Sequence, residues 1–292
     1  MTDFGGAVKQ SQEFEFAIIG VPFDDKSCYL KGAAKGPSAI RAASTGKAIN
    51  PWTELGVNLE EETTLVDLGD MDVAGEASEI FARIEKKIFE ILKKEAVPII
   101  LGGDHSISYP AAKAFSRKFK SFDILHFDAH PDLYEELYGD RYSHACPFAR
   151  IVEDGLVQNL VQVGIRAATG QQRSKAVEHG VRTIWMKDLK EIPSLEFSNP
   201  LYISFDLDAL DPAFAPGVSH HEAGGLSTRQ VISMIHALKA KIVGLDVVEL
   251  NPERDQTGIT AAAAVKIIKE VAGTIIFKAS AHGKSSLQKG ES

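Results

Sequence analysis

Short apolar, β-branched runs recur along the chain at residues 14–21, 64–68, 97–101, 122–127, 160–165, 181–185, 201–205 and 242–248. Runs of this length and composition read as buried strands. Between them lie amphipathic stretches at 77–94, where Ile80, Ile84, Ile88, Ile91 and Leu92 make one stripe, at 227–239 and at 260–271. Each carries its charges on the opposite face, as a helix packed on a sheet does. Strand and helix alternate throughout, which predicts an α/β protein: three layers, α/β/α, around a mostly parallel sheet of about eight strands. Such sheets place ligand sites in the loops at the C-terminal strand ends.

No repeat, linker or low-complexity segment interrupts the pattern, so residues 1–292 are expected to form a single domain. The polar ends, about 1–13 and 283–292, are expected to be flexible tails. A chain of 292 residues that is 44% hydrophobic can bury a core of that size.

Composition narrows the function. The formal net charge is −8 and the basic residues are scattered, which excludes the footprint of a nucleic-acid or anionic-membrane binder and suits a cationic ligand. Cys28 and Cys146 stand far apart with no Cys-x-x-Cys pair, so neither a disulfide framework nor a thiolate zinc site is indicated. No apolar run approaches the ~20 residues that span a bilayer. A cytoplasmic location is the expectation.

The chemistry gathers at strand ends. Gly102-Gly103-Asp104-His105-Ser106 follows the run at 97–101, and Asp128-Ala129-His130-Pro131-Asp132 follows the run at 122–127. Alternation by two in an extended segment puts Asp128, His130 and Asp132 on one side. A third run, 201–205, delivers Asp206-Leu207-Asp208. Gathering such groups without a cation would be costly, because like charges repel and burial penalises each. Four aspartates and two histidines form an oxygen-rich set without thiolate, which suits two divalent ions of the manganese kind; nickel, cobalt and zinc stay open by ligand type.

Residues 102–106, 128–132 and 204–212 together resemble the three signatures of the ureohydrolases, which include arginase, agmatinase, guanidinobutyrase and formimidoylglutamase. The resemblance runs from about Ile18, through Gly32-Ala33-Ala34-Lys35-Gly36-Pro37, to Glu249-Leu250-Asn251-Pro252. It implies one metal held by His105 and Asp132, a second held by His130 and Asp208, and bridging by Asp128 and Asp206. It implies a homotrimer or homohexamer and a fold shared in outline with deacetylases. His144 matches the family's proton-handling histidine, and Glu249 its guanidinium-binding carboxylate, a pairing that planar guanidinium favours. Ser143 and Glu222 are candidate substrate contacts beside them. A hydroxide bridging the two metals would attack the guanidinium carbon, with Asp132 passing a proton to the leaving amine.

Asp140-Arg141-Tyr142-Ser143-His144 lacks the Ser-Gly-Asn-x-His element of animal-type arginases, and Gly217-Val218-Ser219-His220 with Glu222 is most similar to plant-type arginases. The expected reaction is therefore L-arginine to L-ornithine and urea, with agmatine or another guanidino acid as the alternative, which places the enzyme in arginine or polyamine metabolism. Arg141 is a candidate partner for an α-carboxylate. A deacetylase would use one metal and tandem histidines, and a non-catalytic paralogue would have lost a ligand, His144 or Glu249. His221-Glu222-Ala223-Gly224-Gly225 begins like a zinc-protease helix, but its paired glycines predict a loop. Asp67, Asp70 and Asp72 read as structural.

Overall fold

The computed structural model of the chain describes residues 3–7, 11–45 and 49–288. All eight expected strands form: β1 (Phe16–Val21), β2 (Leu65–Asp70), β3 (Val97–Gly102), β4 (Asp123–Phe127), β5 (Asn159–Ile165), β6 (Arg182–Trp185), β7 (Leu201–Asp206) and β8 (Ile242–Val248). They build one sheet in the order β2-β1-β3-β8-β7-β4-β5-β6. Every strand pair is parallel, so the sheet expected to be mostly parallel is parallel throughout the described residues.

The helices are α1 (Gly36–Ala43), α2 (Ala77–Lys93), α3 (Ser108–Lys118), α4 (Pro147–Glu153), α5 (Gly170–Glu178), α6 (Thr228–Ala237) and α7 (Ile259–Gln288). Residues of α1, α6 and α7, among them Ile40, Ile235 and Ile268, pack on one sheet face. Residues of α2, α3, α4 and α5, among them Ile84, Phe115, Phe148 and Ala176, pack on the other. The stripe Ile80, Ile84, Ile88, Ile91 and Leu92 is buried as its spacing predicts. Each such side chain contributes about 1.5–3 kcal/mol relative to leaving it in water.

The last helix departs from expectation. It continues past 271 to Gln288, into the segment expected to be a tail. Gly273 does not stop it, because a Cβ there would come within 2.6 Å of Thr53 Cγ2, so the glycine serves close packing. Residues 1–2, 8–10 and 289–292 lie outside the described residues, and the N-terminal segment expected to be a tail is anchored at Phe4, which is buried in the core and donates its N–H to Asp67 at 2.8 Å. Among the described residues no helix is long and apolar enough to cross a membrane.

Asp67 and Asp70 are structural. The buried Arg41 guanidinium grips Asp67 through Nε (2.7 Å) and Nη2 (2.9 Å) and donates to Asp70 through Nη1, tying α1 to β2. Burial alone would raise the Asp67 carboxyl; Arg41 and the N–H groups of Gly69 and Phe4 outweigh it and hold it below the usual range.

The strand order decides where the chemistry meets. β3, β8, β7 and β4 are consecutive neighbours at the centre of the sheet. His105, Glu249, Asp206 with Asp208, and Asp128 with His130 and Asp132 follow or end these four strands.

Candidate metal centre

Carboxylates from two other chain segments converge on His105. Its Nδ1 lies 3.1 Å from an oxygen of Asp128, 3.1 Å from one of Asp132 and 3.2 Å from one of Asp206. It is aligned for a hydrogen bond with none of them. A second grouping adjoins it: His130 Nδ1 is 3.0 Å from Asp208 and 3.4 Å from Asp128, so Asp128 belongs to both. All six residues singled out by spacing are therefore together. A buried imidazole nitrogen facing three carboxylate oxygens without a directed bond is what a small cation between them would explain.

Electrostatics supports the same fit. Burial, then the charges of Asp208 and Asp128, push the Asp206 carboxyl well above its usual range. Burial and the Asp128 charge raise Asp132 as well. Divalent cations would relieve this crowding, and the oxygen-rich donor set suits hard ions better than a structural zinc.

The ligands are held by a layer that the spacing of motifs does not reveal. His105 Nε2 is 3.0 Å from Ser204 Oγ, which donates to Asp246 (2.9 Å), so the ring presents Nδ1 to the carboxylates. His126 does the same for Asp128. The Gln162 amide donates to His126 Nδ1 at 3.0 Å, His126 Nε2 donates to Asp128 Oδ2 at 2.8 Å, and the ring stacks on Phe148 at 3.7 Å. Backbone N–H groups tie down Asp208 (from Ala129, 3.0 Å), Asp128 (from His130, 2.5 Å) and Asp206 (from Asp208, 2.7 Å). A signal for this layer exists in the sequence: Ser204, Asp246, His126 and Gln162 are polar positions inside apolar strand runs.

Two corners of the candidate site are strained. Asp132 (φ 51°) and Glu249 (φ 65°) are two of the four described non-glycine residues with positive φ. Left-handed backbone at such residues costs about 1–3 kcal/mol and is retained where the surrounding structure requires it. Gly103 is required sterically, since a Cβ there would stand 1.8 Å from the Phe23 carbonyl oxygen.

A cavity of about 460 Å³ opens onto the centre and is lined by His130, Asp132, His144, Asp206, Asp208 and Glu249, with Glu222 and the first turn of α5 at its sides. Glu249 Oε1 accepts from the His105 N–H at 2.8 Å and lies 2.8 Å from His144 Nδ1. Burial pulls the His144 pKa down, yet the Glu249 charge and the hydrogen bonds to Cys28 and Glu249 raise it well above the usual range. Glu222 sits 4.0 Å from His130 Nε2 in a loop, as the paired glycines predict. That loop is pinned by Arg166, which donates to the carbonyls of Asp208 (2.7 Å) and Glu222 (2.7 Å).

Two expected contacts are placed elsewhere. Arg141 turns to the surface and pairs with Glu153 at 3.2 Å, because α4 offers it a carboxylate. Ser143 is buried with Oγ against the Lys26 carbonyl at 3.5 Å, so it supports His144 and is not among the residues lining the cavity. A larger cavity, about 750 Å³, lies at the N-terminal ends of β3 and β8 with an apolar and lysine lining. It holds none of the described metal-ligand groupings.

Known proteins share this arrangement of chain. A family model described as "Arginase family" matches residues 14–273. "Arginase 1, mitochondrial" of Arabidopsis thaliana is 42% identical over 89% of this chain and 80% of its own length. The agmatinase of Bacillus anthracis is 33% identical over 89% of this chain and 91% of its own. The solved structure of arginase from Medicago truncatula superposes with a TM-score of 0.85 at 40% identity, covering 89% of this chain and 87% of that one. On the breadth of that match, the chain belongs to the arginase family and is a ureohydrolase, a hydrolase of C–N bonds other than peptide bonds.

Proposed function

We propose that this ureohydrolase converts L-arginine to L-ornithine and urea, with two manganese ions held by His105, Asp128, His130, Asp132, Asp206 and Asp208. Bound there, the ions would supply a hydroxide nucleophile at neutral pH by lowering the pKa of a shared water. The observation that carries the reading is the Glu249 carboxylate, buried at the cavity beside that ligand set.

The chain's own residues would do the rest. Glu249 Oε2 has no hydrogen-bond partner among the described residues, which suits it to a guanidinium N–H, while Oε1 is occupied in orienting His144. Asp132, raised by burial and by Asp128, is placed to carry a proton to the departing amine. His144 would exchange that proton at Nε2 with solvent.

Arginine differs from agmatine by its α-carboxylate, so the distal end of the cavity decides between them. Ala168 and Thr169, at the start of α5, line it. A helix N-terminus favours an anion by about 0.3–1 kcal/mol, up to ~2 when partly buried, or roughly 2- to 30-fold. Glu222, on the same cavity, suits the α-ammonium. The Arabidopsis relative named arginase is also more similar to this chain than the Bacillus agmatinase, 42% against 33%.

A screen of urea release from arginine, agmatine, guanidinobutyrate and guanidinopropionate by the manganese-loaded protein tests this. Arginine should give the highest kcat/KM; a higher value for agmatine replaces the substrate and leaves the metal centre as argued. Assembly as a homotrimer or homohexamer is part of the same proposal and rests on the family resemblance. The cytoplasmic reading rests on the two unpaired cysteines, whereas the Arabidopsis relative is named mitochondrial.

A further inference from the structure

Cys28, His144 and His220 meet at the same cavity although they lie on three separate chain segments. Cys28 Sγ is 3.1 Å from His144 Nε2 and 4.0 Å from His220 Nε2. The three donor atoms all fall within 4.8 Å of one another. None of the three residues belongs to the six-ligand centre. We propose that they form a third cation site, selective for a thiophilic divalent ion such as zinc, whose occupation withdraws His144 and obstructs the cavity.

Several observations carry this. A tetrahedral ion at about 2.0–2.3 Å from nitrogen and sulfur spaces its ligand atoms about 3.3–3.6 Å apart; the observed 3.1 and 4.0 Å lie on either side of that range, differences of about 0.4 Å or less that side-chain rotation closes. His144 is already oriented as a ligand: Nδ1 donates to the Glu249 carboxylate at 2.8 Å, and Nε2 points at Cys28 Sγ, 3.1 Å away, so that ion binding there releases the Nε2 proton. A carboxylate behind a histidine is the arrangement that orients imidazole toward a metal. Hydrogen bonds from His144 and then His220 also draw the Cys28 thiol down to about 6, against the effect of burial, so the sulfur is available as thiolate at neutral pH. Thiolate with two imidazoles selects zinc over manganese, the reverse of the aspartate-rich centre.

Alkylation reads the site directly. Cys146 is the only other cysteine, and burial with the Asp132 charge pushes its thiol up to about 12, so iodoacetamide reports Cys28 alone. In manganese-loaded protein, one equivalent of Zn2+ should slow Cys28 labelling at least tenfold, and His220→Asn should abolish that protection. Labelling that zinc leaves unchanged, or protection that survives His220→Asn, overturns the proposal. Co2+ added to the same protein gives a second reading independent of that variant's folding. A sulfur-to-cobalt charge-transfer band should appear in the wild type and not in Cys28→Ser, and its absence from the wild type also overturns the site.

Discussion

Glu249 Oε1 stands 2.8 Å from His144 Nδ1, joining the carboxylate after β8 to a histidine 105 positions earlier in the chain. The same oxygen accepts the N–H of His105 at 2.8 Å, so one carboxylate couples the candidate metal centre to the cavity wall. Holding it there costs a left-handed backbone, φ 65°. A buried charged residue kept in that conformation is an expensive feature, offset on Oε1 by His144 and the His105 N–H.

Glu249→Gln keeps the size and removes the charge. Catalytic efficiency should fall for every guanidino substrate by about 2–4 kcal/mol, roughly 30- to 1,000-fold, while metal content stays unchanged. Steady-state kinetics beside elemental analysis checks both halves, and preserved efficiency removes Glu249 from guanidinium recognition.

Asp128 faces both His105 and His130, whereas His144 faces neither grouping of ligands. Asp128→Asn should therefore lower the manganese retained after dialysis, and His144→Asn should lower activity while retaining it. Equal metal content in the two purified variants, with both active, contradicts the division of roles.

Away from the site, Arg41 and Asp67 form a buried ion pair whose loss leaves Arg41 with Asp70 as its remaining carboxylate and two of its N–H donors facing a neutral amide. Asp67→Asn should cost about 1.5–3 kcal/mol near pH 7 in denaturant unfolding. The folded Asp67 carboxyl lies below its usual range, so its contribution is complete above about pH 4–5 and is lost only as pH falls through the lower folded value. The difference between wild type and variant should be constant from pH 8 to about 5; a difference that shrinks between pH 7 and 6 contradicts the assignment.

Much of this architecture is legible in the amino-acid sequence. The eight apolar runs become the eight strands, and strand order sets β4 beside β7. Asp128, His130 and Asp132 meet, but not by extended alternation, since β4 ends at Phe127 and Asp132 has left-handed backbone, φ 51°, while Asp208 lies in a 3-10 turn after β7. Strand order itself is not a local property, so the adjacency of β3, β8, β7 and β4 could be expected only from the family resemblance. Ser204, Asp246, His126 and Gln162 escape notice because they sit inside runs defined by their apolar neighbours, although a polar residue in a doubly covered strand must have a buried partner. Arg141 is drawn away from the cavity by a competing carboxylate, Glu153, on a short helix that periodicity does not reveal. Cys28 looks isolated because His144 and His220 are 116 and 192 residues away in sequence.

A binuclear centre needs both groupings filled to act. Titrating metal-free protein with Mn2+ while following bound metal and urea release from L-arginine tests this most directly. Binding should saturate at two ions per chain, with activity appearing as the second ion binds. Saturation at one ion per chain, or full activity with the first ion alone, would contradict the binuclear centre.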